Sequence, residues 1–307
     1  MNEVKQVGGS KVCRFSHSAM ATSFESLVAD EAAEYARQAS EEMFRLIDGI
    51  EEQISRYRES SDIWALNHAV PGRSLRVGQH TFACLQRAQE VYTATGGAFD
   101  VTIGPLVDCW RNRADGTDSP APKTIAEVRK RVGMDGLILD SKAMEVRMER
   151  WGLNVDLGGI GKGYALDQAA DLLREWGIEC ALLNAGESTV LALGTPQEMP
   201  GWPVGIGGSA AADHSGEPFA LKDSALSGSG TDVKGHHVLD PRTGYPAEGA
   251  LAAWAICESA AQADALSTAF MVMKPGEVEQ YCRRHAATKA LLLVTDSEQT
   301  KAIRFGL

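Results

Sequence analysis

Three short segments of the 307-residue chain carry side chains that could do chemistry together. The first is Asp156-Leu-Gly-Gly-Ile-Gly-Lys-Gly-Tyr164. Its glycines let the backbone approach a ligand closely, free N–H groups at a helix start can face an anion, and Lys162 adds a point charge. The segment is neither of two familiar phosphate motifs. A nucleotide-triphosphate P-loop needs glycine where Asp156 stands and Ser or Thr where Gly163 stands, and a GxGxxG fingerprint needs glycine at Tyr164. It suits an anion cradle, or a tight strand-to-helix connection with a solvated lysine.

The second segment is Ala263-Asp-Ala-Leu-Ser-Thr268. On a helix, Asp264, Ser267 and Thr268 stand at i, i+3 and i+4 and share one face. A carboxylate and two hydroxyls are hard oxygen ligands, suited to Mg2+ rather than zinc. The same hydroxyls could bond back to helix carbonyls, but Asp264 among alanines needs a partner if buried, which favours a metal. The third segment is Gly235-His-His-Val-Leu-Asp-Pro-Arg-Thr-Gly244. On a strand, His236 and His237 point to opposite faces. One of them could serve as a general base or phosphate partner, or both could be structural. Asp240 to Gly244 reads as a turn. Two further stretches, Thr95-Gly-Gly-Ala-Phe-Asp100 and Ser55-Arg-Tyr-Arg58, combine rings with charges and suit a planar heteroaromatic ligand.

The elements that must present these residues follow from periodicity. A strand from Ser23 to Val28 precedes a long helix, Asp30 to Ser55, with Met43, Leu46, Ile47, Ile50 and Ile54 on one face. A second helix, Thr81 to Thr95, stops at Gly96-Gly97. Residues 112–123 are polar and Pro-rich and read as a loop. A short helix from Ile125 to Val132 follows, then strands at Gly136 to Leu139 and Glu145 to Met148. Leu153, Val155 and Leu157 alternate as on a half-buried strand. After the glycine turn, a helix carries Leu166, Ala169, Ala170 and Leu173 on one face. Strands are expected at Ala181 to Asn184, Ser188 to Leu193 and Ala252 to Cys257, with turns through residues 195–217 and a Gly/Ser turn from Leu226 to Thr231. Ser259 and Gln262 form a capping box opening a helix through Met271. Irregular interleaving of short strands and helices predicts an α+β fold rather than a repeating βαβ sheet.

Composition sets outer bounds. Hydrophobic residues make up 44% and charged residues 23%, ordinary globular usage that excludes wholesale disorder. A net charge of −11 lacks the basic footprint of a nucleic-acid binder. Cys13, Cys84, Cys109, Cys180, Cys257 and Cys282 are scattered without a CxxC pair, as expected in a reducing compartment or for buried thiols. No apolar run reaches the roughly 18 residues of a membrane span, and the first residues hold no apolar leader core. The expectation is a cytoplasmic protein without a membrane segment.

Seven motifs in order give a specific resemblance. Met20-Ala-Thr-Ser-Phe-Glu25, Ser55-Arg-Tyr57, Gly97-Ala-Phe-Asp-Val-Thr102, the 156–165 glycine segment, Asn184-Ala-Gly186, His236 to Gly244 and Ala263 to Thr268 together resemble the ApbE family, the FAD:protein FMN transferases. The likeness runs from about residue 16 to residue 305. It implies one ApbE-like domain over 16–307, with short mixed or antiparallel sheets packed by helices, after a flexible extension over 1–15. It further implies Mg2+-dependent cleavage of the FAD pyrophosphate, attachment of FMN to a Thr or Ser hydroxyl of an acceptor flavoprotein, and release of AMP. The implied FAD contacts are Met20, Tyr57, Ala98, Phe99, Asp100, Asp156, Lys162 and Leu239. The implied Mg2+ contacts are Asp264, Ser267, Thr268 and a backbone carbonyl of the 159–161 turn, represented by Gly161. His237 is expected to be the base, because Leu239 shares its strand face. Two other functions use the same residues: a metal-dependent FAD pyrophosphatase with water as nucleophile, and a flavin carrier without catalysis.

Overall fold

The computed structural model describes residues 3–112, 119–206, 218–230, 238–296 and 299–307. The chain opens with β1 (Glu3–Val7), β2 (Ser10–Ala19) and β3 (Thr22–Ala29), a meander that leads into α1 (Ala33–Ile54). Then come α2 (Asp62–Asn67), β4 (Ser74–Arg76), α3 (Gln79–Ala94), α4 (Gly104–Arg111), α5 (Pro122–Arg129), β5 (Leu137–Asp140) and β6 (Glu145–Met148). The second half holds α6 (Gly161–Glu175), β7 (Ala181–Ala185), β8 (Thr189–Leu193), β9 (Trp202–Val204), β10 (Phe219–Leu221) and β11 (Ser224–Gly230). It closes with β12 (Ala252–Cys257), α7 (Ala260–Val272), α8 (Pro275–Arg284), β13 (Lys289–Asp296) and β14 (Gln299–Phe305).

Among the described residues one sheet dominates, in the order β1-β2-β3-β7-β8-β11-β12-β13-β14, and every ladder in it is antiparallel. Smaller antiparallel sheets are β4-β6-β5 and β10-β9. The α+β expectation holds. Apolar stripes of α1, α6 and α7 cover one face of the large sheet, with α3 packed on α1 and α7, and Ile47, Leu85, Leu166 and Leu266 share one core with Phe24, Leu183, Leu191 and Ala255. The opposite face is partly covered by β9 and β10, with Trp202, Val204 and Leu221 against Val12, Ala192, Leu226 and Trp254. Strands β12 and β13 are therefore buried on both faces, which is why Ala252–Cys257 and the 290–293 run are continuously apolar rather than alternating. Among the described residues no helix is long and apolar enough to cross a membrane.

Four expectations change. Residues 3–15, within the stretch read as a flexible extension, supply β1 and the first six residues of β2, and Val12 and Cys13 are buried. Leu153, Val155 and Leu157 are buried as their alternation predicts, but they form no ladder. The Val155 backbone instead exchanges bonds of 2.7 and 2.9 Å with the Asn67 amide, and Asp156 N–H bonds the Val101 carbonyl at 2.7 Å. The stretch from Leu226, read as a Gly/Ser turn, is central strand β11. Gly228 is there because the Trp254 indole lies where a Cβ would go, 2.5 Å from its Nε1. Finally, Ser259 caps α7 by accepting the Gln262 N–H at 3.3 Å, but the Gln262 side chain donates to Tyr281 at 3.4 Å instead of closing a capping box.

Candidate functional site

Helix α6 begins at the glycine turn because Asp156 folds it back: one carboxylate oxygen accepts the Gly158 N–H at 2.9 Å. The other accepts Arg56 at 2.7 Å, and the same guanidinium grips both oxygens of Asp108 at 2.9 and 3.0 Å. Arg56 also lies over the Tyr57 ring, 5.5 Å from its centroid, while Tyr57 itself is 69% exposed. The turn is thus anchored to the end of α1 and to α4, and an aromatic ring stands at its rim.

Gly163 lets α6 meet α7 at backbone contact. A Cβ there would lie 2.1 Å from the Ala260 carbonyl oxygen. This crossing carries Asp264 to the start of α6. The Asp264 side chain is 6% exposed and is ringed by donors. Gly163 N–H reaches Oδ2 at 3.1 Å, and the Lys162 ammonium stands 3.4 Å from both oxygens. Thr189 of β8 and Ser227 of β11 donate to Oδ1 at 3.3 and 3.4 Å. Helix α3 closes the cluster from below: the fully buried Cys84 thiol has its pKa pushed up by burial and by the Asp264 charge, so it stays neutral.

The two hydroxyls expected beside Asp264 differ in their surroundings. Ser267 is fully buried and donates back to the Asp264 carbonyl at 2.9 Å, with Ser229 a further 2.9 Å away. Thr268 is half-buried, its hydrogen-bond partners among the described residues stand at 3.5 Å, and it faces Gly159, whose added Cβ would lie 3.5 Å from its Oγ1. Back-bonding therefore describes Ser267 well, and Thr268 is the freer oxygen. The donor set fits a hard cation. Charge-assisted hydrogen bonds to a carboxylate usually run about 2.7–2.9 Å, whereas among the described residues every contact to the Asp264 carboxylate oxygens is 3.1 Å or longer. The carboxylate is desolvated and loosely held, with the Thr189 and Ser227 hydroxyls on one oxygen and Lys162 and the Gly163 N–H beside it. Among the described residues no three His, Cys, Asp or Glu side chains cluster as a metal-binding group, so a site here would be one carboxylate with hydroxyl and carbonyl oxygens.

Phe99 joins the group, its ring 3.2 Å from where a Gly159 Cβ would be. Ala98, Phe99 and Asp100 are all buried after α3. Asp100 accepts both the N–H and the hydroxyl of Thr102, at 2.7 and 2.6 Å, yet burial still pushes its pKa up to about 6. Met20 forms the β2–β3 turn with Ala21, both at positive φ (50° and 56°), a strained conformation for side-chain-bearing residues. Thr22, just after it, packs on Gly186 in the turn leading to Thr189, so Met20 lies at the sheet end that carries the Asp264 cluster. Gly161 is the first residue of α6, its Cα against Ile54. Leu239 stands apart, in a small cluster with Leu106 and Ile125. The Asp240 turn is present, closed by Gly244 N–H on the Asp240 carbonyl at 2.7 Å. His236 and His237 lie outside the described residues. Sequence reasoning assigned no role to Asp108, Thr189, Ser227 and Ser229, and read Arg56 only as a cation beside the Tyr57 ring. The one available signal was the Ser-Gly-Ser spacing at 227–229, which puts two hydroxyls on one strand face.

The sequence model of the ApbE family matches residues 20–292. An FAD:protein FMN transferase of Klebsiella pneumoniae is 30% identical over 230 residues, covering 68% of this chain and 67% of the relative. One of Treponema pallidum is 28% identical over 284 residues, covering 84% and 77%. Among solved structures, the flavin transferase ApbE from Vibrio cholerae superposes with a TM-score of 0.86 at 24% identity, over 96% of this chain and 97% of that one. The ApbE protein from Thermotoga maritima superposes with a TM-score of 0.82 at 28% identity, over 96% and 97%.

Proposed function

The chain belongs to the ApbE family, and on that premise we propose that it is an FAD:protein FMN transferase, moving FMN from FAD to a Thr or Ser hydroxyl of an acceptor flavoprotein and releasing AMP. The observation that carries this reading is the buried Asp264 carboxylate facing the start of α6, Lys162 and a set of neutral hydroxyls. An anhydride of two phosphates needs positive charge and N–H donors around it, and that is what the glycine turn and Lys162 offer. Asp264 and Thr268, with a carbonyl of the 159–161 turn, would hold Mg2+, and Ser267 would support them from behind. When bound, the ion offsets the diphosphate charge and stabilises the departing AMP phosphate. Phe99, Tyr57 and Met20 supply apolar and aromatic surface for the flavin.

In the reaction, the acceptor oxygen bonds to the FMN phosphorus while the anhydride P–O bond breaks, and AMP leaves with the electron pair. The hydroxyl proton passes to a base, for which His237 remains the proposed residue. Incubation with FAD, Mg2+ and a candidate acceptor, followed by mass analysis of the acceptor, tests the reading. A covalent FMN adduct together with AMP supports it. Free FMN without an adduct points to a pyrophosphatase, and no AMP with any divalent metal points to a flavin carrier. Asp264→Ala should abolish AMP release, and normal turnover in that variant would place the metal elsewhere.

A further inference from the structure

The start of α7 is held by a residue of another helix. Asp167 of α6 accepts the Ser259 hydroxyl at 2.7 Å, the Ala260 N–H at 2.7 Å and the Ala261 N–H at 3.0 Å. The first N–H groups of any helix lack partners within it, and they form its positive end. A local cap would be enough for stability, and Ser259 already provides one to Gln262. Asp167 adds a carboxylate that burial works against, raising its pKa while the three donors pull it down. Its place on α6 matters. Asp167 is four residues after Gly163, one helical turn along the same face. The two helices therefore meet at two rungs. At one rung Asp167 holds residues 259–261. At the other, Gly163 touches Ala260 and donates its N–H to Asp264.

We propose that Asp167 is a positioning residue for Asp264: it fixes how far α7 sits along α6, and so keeps the Asp264 carboxylate on the Gly163 N–H and beside Lys162. With one rung, the position of α7 along α6 would rest on the Gly163 contact and on the packing of α7 against β11 and β12 alone. A slip of one residue moves a side chain by about 1.5 Å along the axis and by about 100° around it. Displacements near 1 Å are enough to disable a catalytic arrangement. This inference rests on the reading of Asp264 as a metal ligand.

The test is Mn2+ binding to the full chain, followed through the electron paramagnetic resonance of free Mn2+ well below the unfolding temperature. Val146→Ala, in the distant β4-β6-β5 sheet, controls for loss of stability alone. The wild type and Val146→Ala should bind alike, and Asp264→Ala should lose the site. Asp167→Ala should weaken binding about 10-fold or more, the scale for residues that orient a metal ligand. Asp167→Asn keeps an acceptor oxygen and should weaken binding measurably, but by less than Asp167→Ala. Wild-type affinity in Asp167→Ala, with the site lost in Asp264→Ala, overturns the positioning role. If the alanine variant does not fold, wild-type affinity in Asp167→Asn does the same. Wild-type affinity in Asp264→Ala overturns the metal reading and this inference with it.

Discussion

Two glycine-to-alanine changes in helices should move stability in opposite directions. At Gly163, an ideal Cβ would lie 2.1 Å from the Ala260 carbonyl oxygen, 2.5 Å from its carbon and 2.8 Å from the Ala261 Cα. All three neighbours are backbone, so no side chain can swing aside. Ordinary contact would require α6 and α7 to part by more than about 1 Å, and overpacking of that kind costs about 1–3 kcal/mol. Against this, alanine gains about 0.5–1 kcal/mol over glycine in a helix. The net expectation for Gly163→Ala is a loss of up to about 2.5 kcal/mol. At Gly49, inside α1, nothing lies within 4 Å of the added Cβ. Only the helix term remains, and Gly49→Ala should gain about 0.5–1 kcal/mol. Chemical denaturation with an unchanged m-value reads both. Because Gly163 N–H also bonds Asp264, the first variant should lose FMN transfer under conditions where it is fully folded, and the second should not. A Gly163→Ala protein as stable and as active as the wild type would mean that α6 and α7 are not in backbone contact at Gly163 and that this crossing does not place Asp264.

Three further outcomes follow from the site. Asp100 takes up its proton more readily in the folded chain than its ordinary pKa of 3.8 implies, because burial lifts it to about 6. Its charge therefore costs stability at pH 7, and the cost fades as pH falls through 6 toward 4. Asp100→Asn, whose carbonyl can still accept from Thr102, should be more stable at pH 7 by up to about 3 kcal/mol. That advantage should shrink by pH 4, and a constant one across denaturation curves from pH 4 to 7 would contradict the assignment. Ser267→Ala should cost about 0.5–1.5 kcal/mol of stability while the response to metal survives. Thr268→Ala should weaken metal-dependent transfer about 10-fold or more, and the reverse ranking in a Mg2+ titration would exchange their roles. Tyr57→Ala, at a 69% exposed position, should leave the unfolding midpoint alone but weaken FAD binding by about 0.5–1.5 kcal/mol. Unchanged affinity in equilibrium titration would remove the ring from the pocket.

Several features are local and were legible from the chain alone. The helical repeat of α1, the stop of α3 at Gly96-Gly97, the glycine turn opening α6 and the shared face of Asp264, Ser267 and Thr268 all depend on residues within a few positions of one another. Backbone geometry converts such spacing directly into a direction in space. The motifs also sufficed for the family, since seven of them occur in the right order. What tertiary structure decided involves partners far apart in the chain. The alternation at 153–157 predicted burial correctly. Whether it built a ladder depended on Asn67 and Val101, which claim its backbone groups first. The Ser-Gly-Ser run at 227–229 looked like a turn because glycine and serine favour turns when nothing packs on them, but Trp254 makes a glycine necessary in mid-strand. Ser267 and Thr268 are adjacent and chemically alike. Only β11, which brings Ser229 to 2.9 Å of Ser267, and the glycine turn, which leaves space beside Thr268, separate a packed hydroxyl from a free one. Asp167 meets Ser259 across 92 residues of sequence. Periodicity reports which face of a helix is apolar, but not which residue of a second helix will arrive there, because that depends on the crossing of the two helices, set here by the lack of a side chain at Gly163.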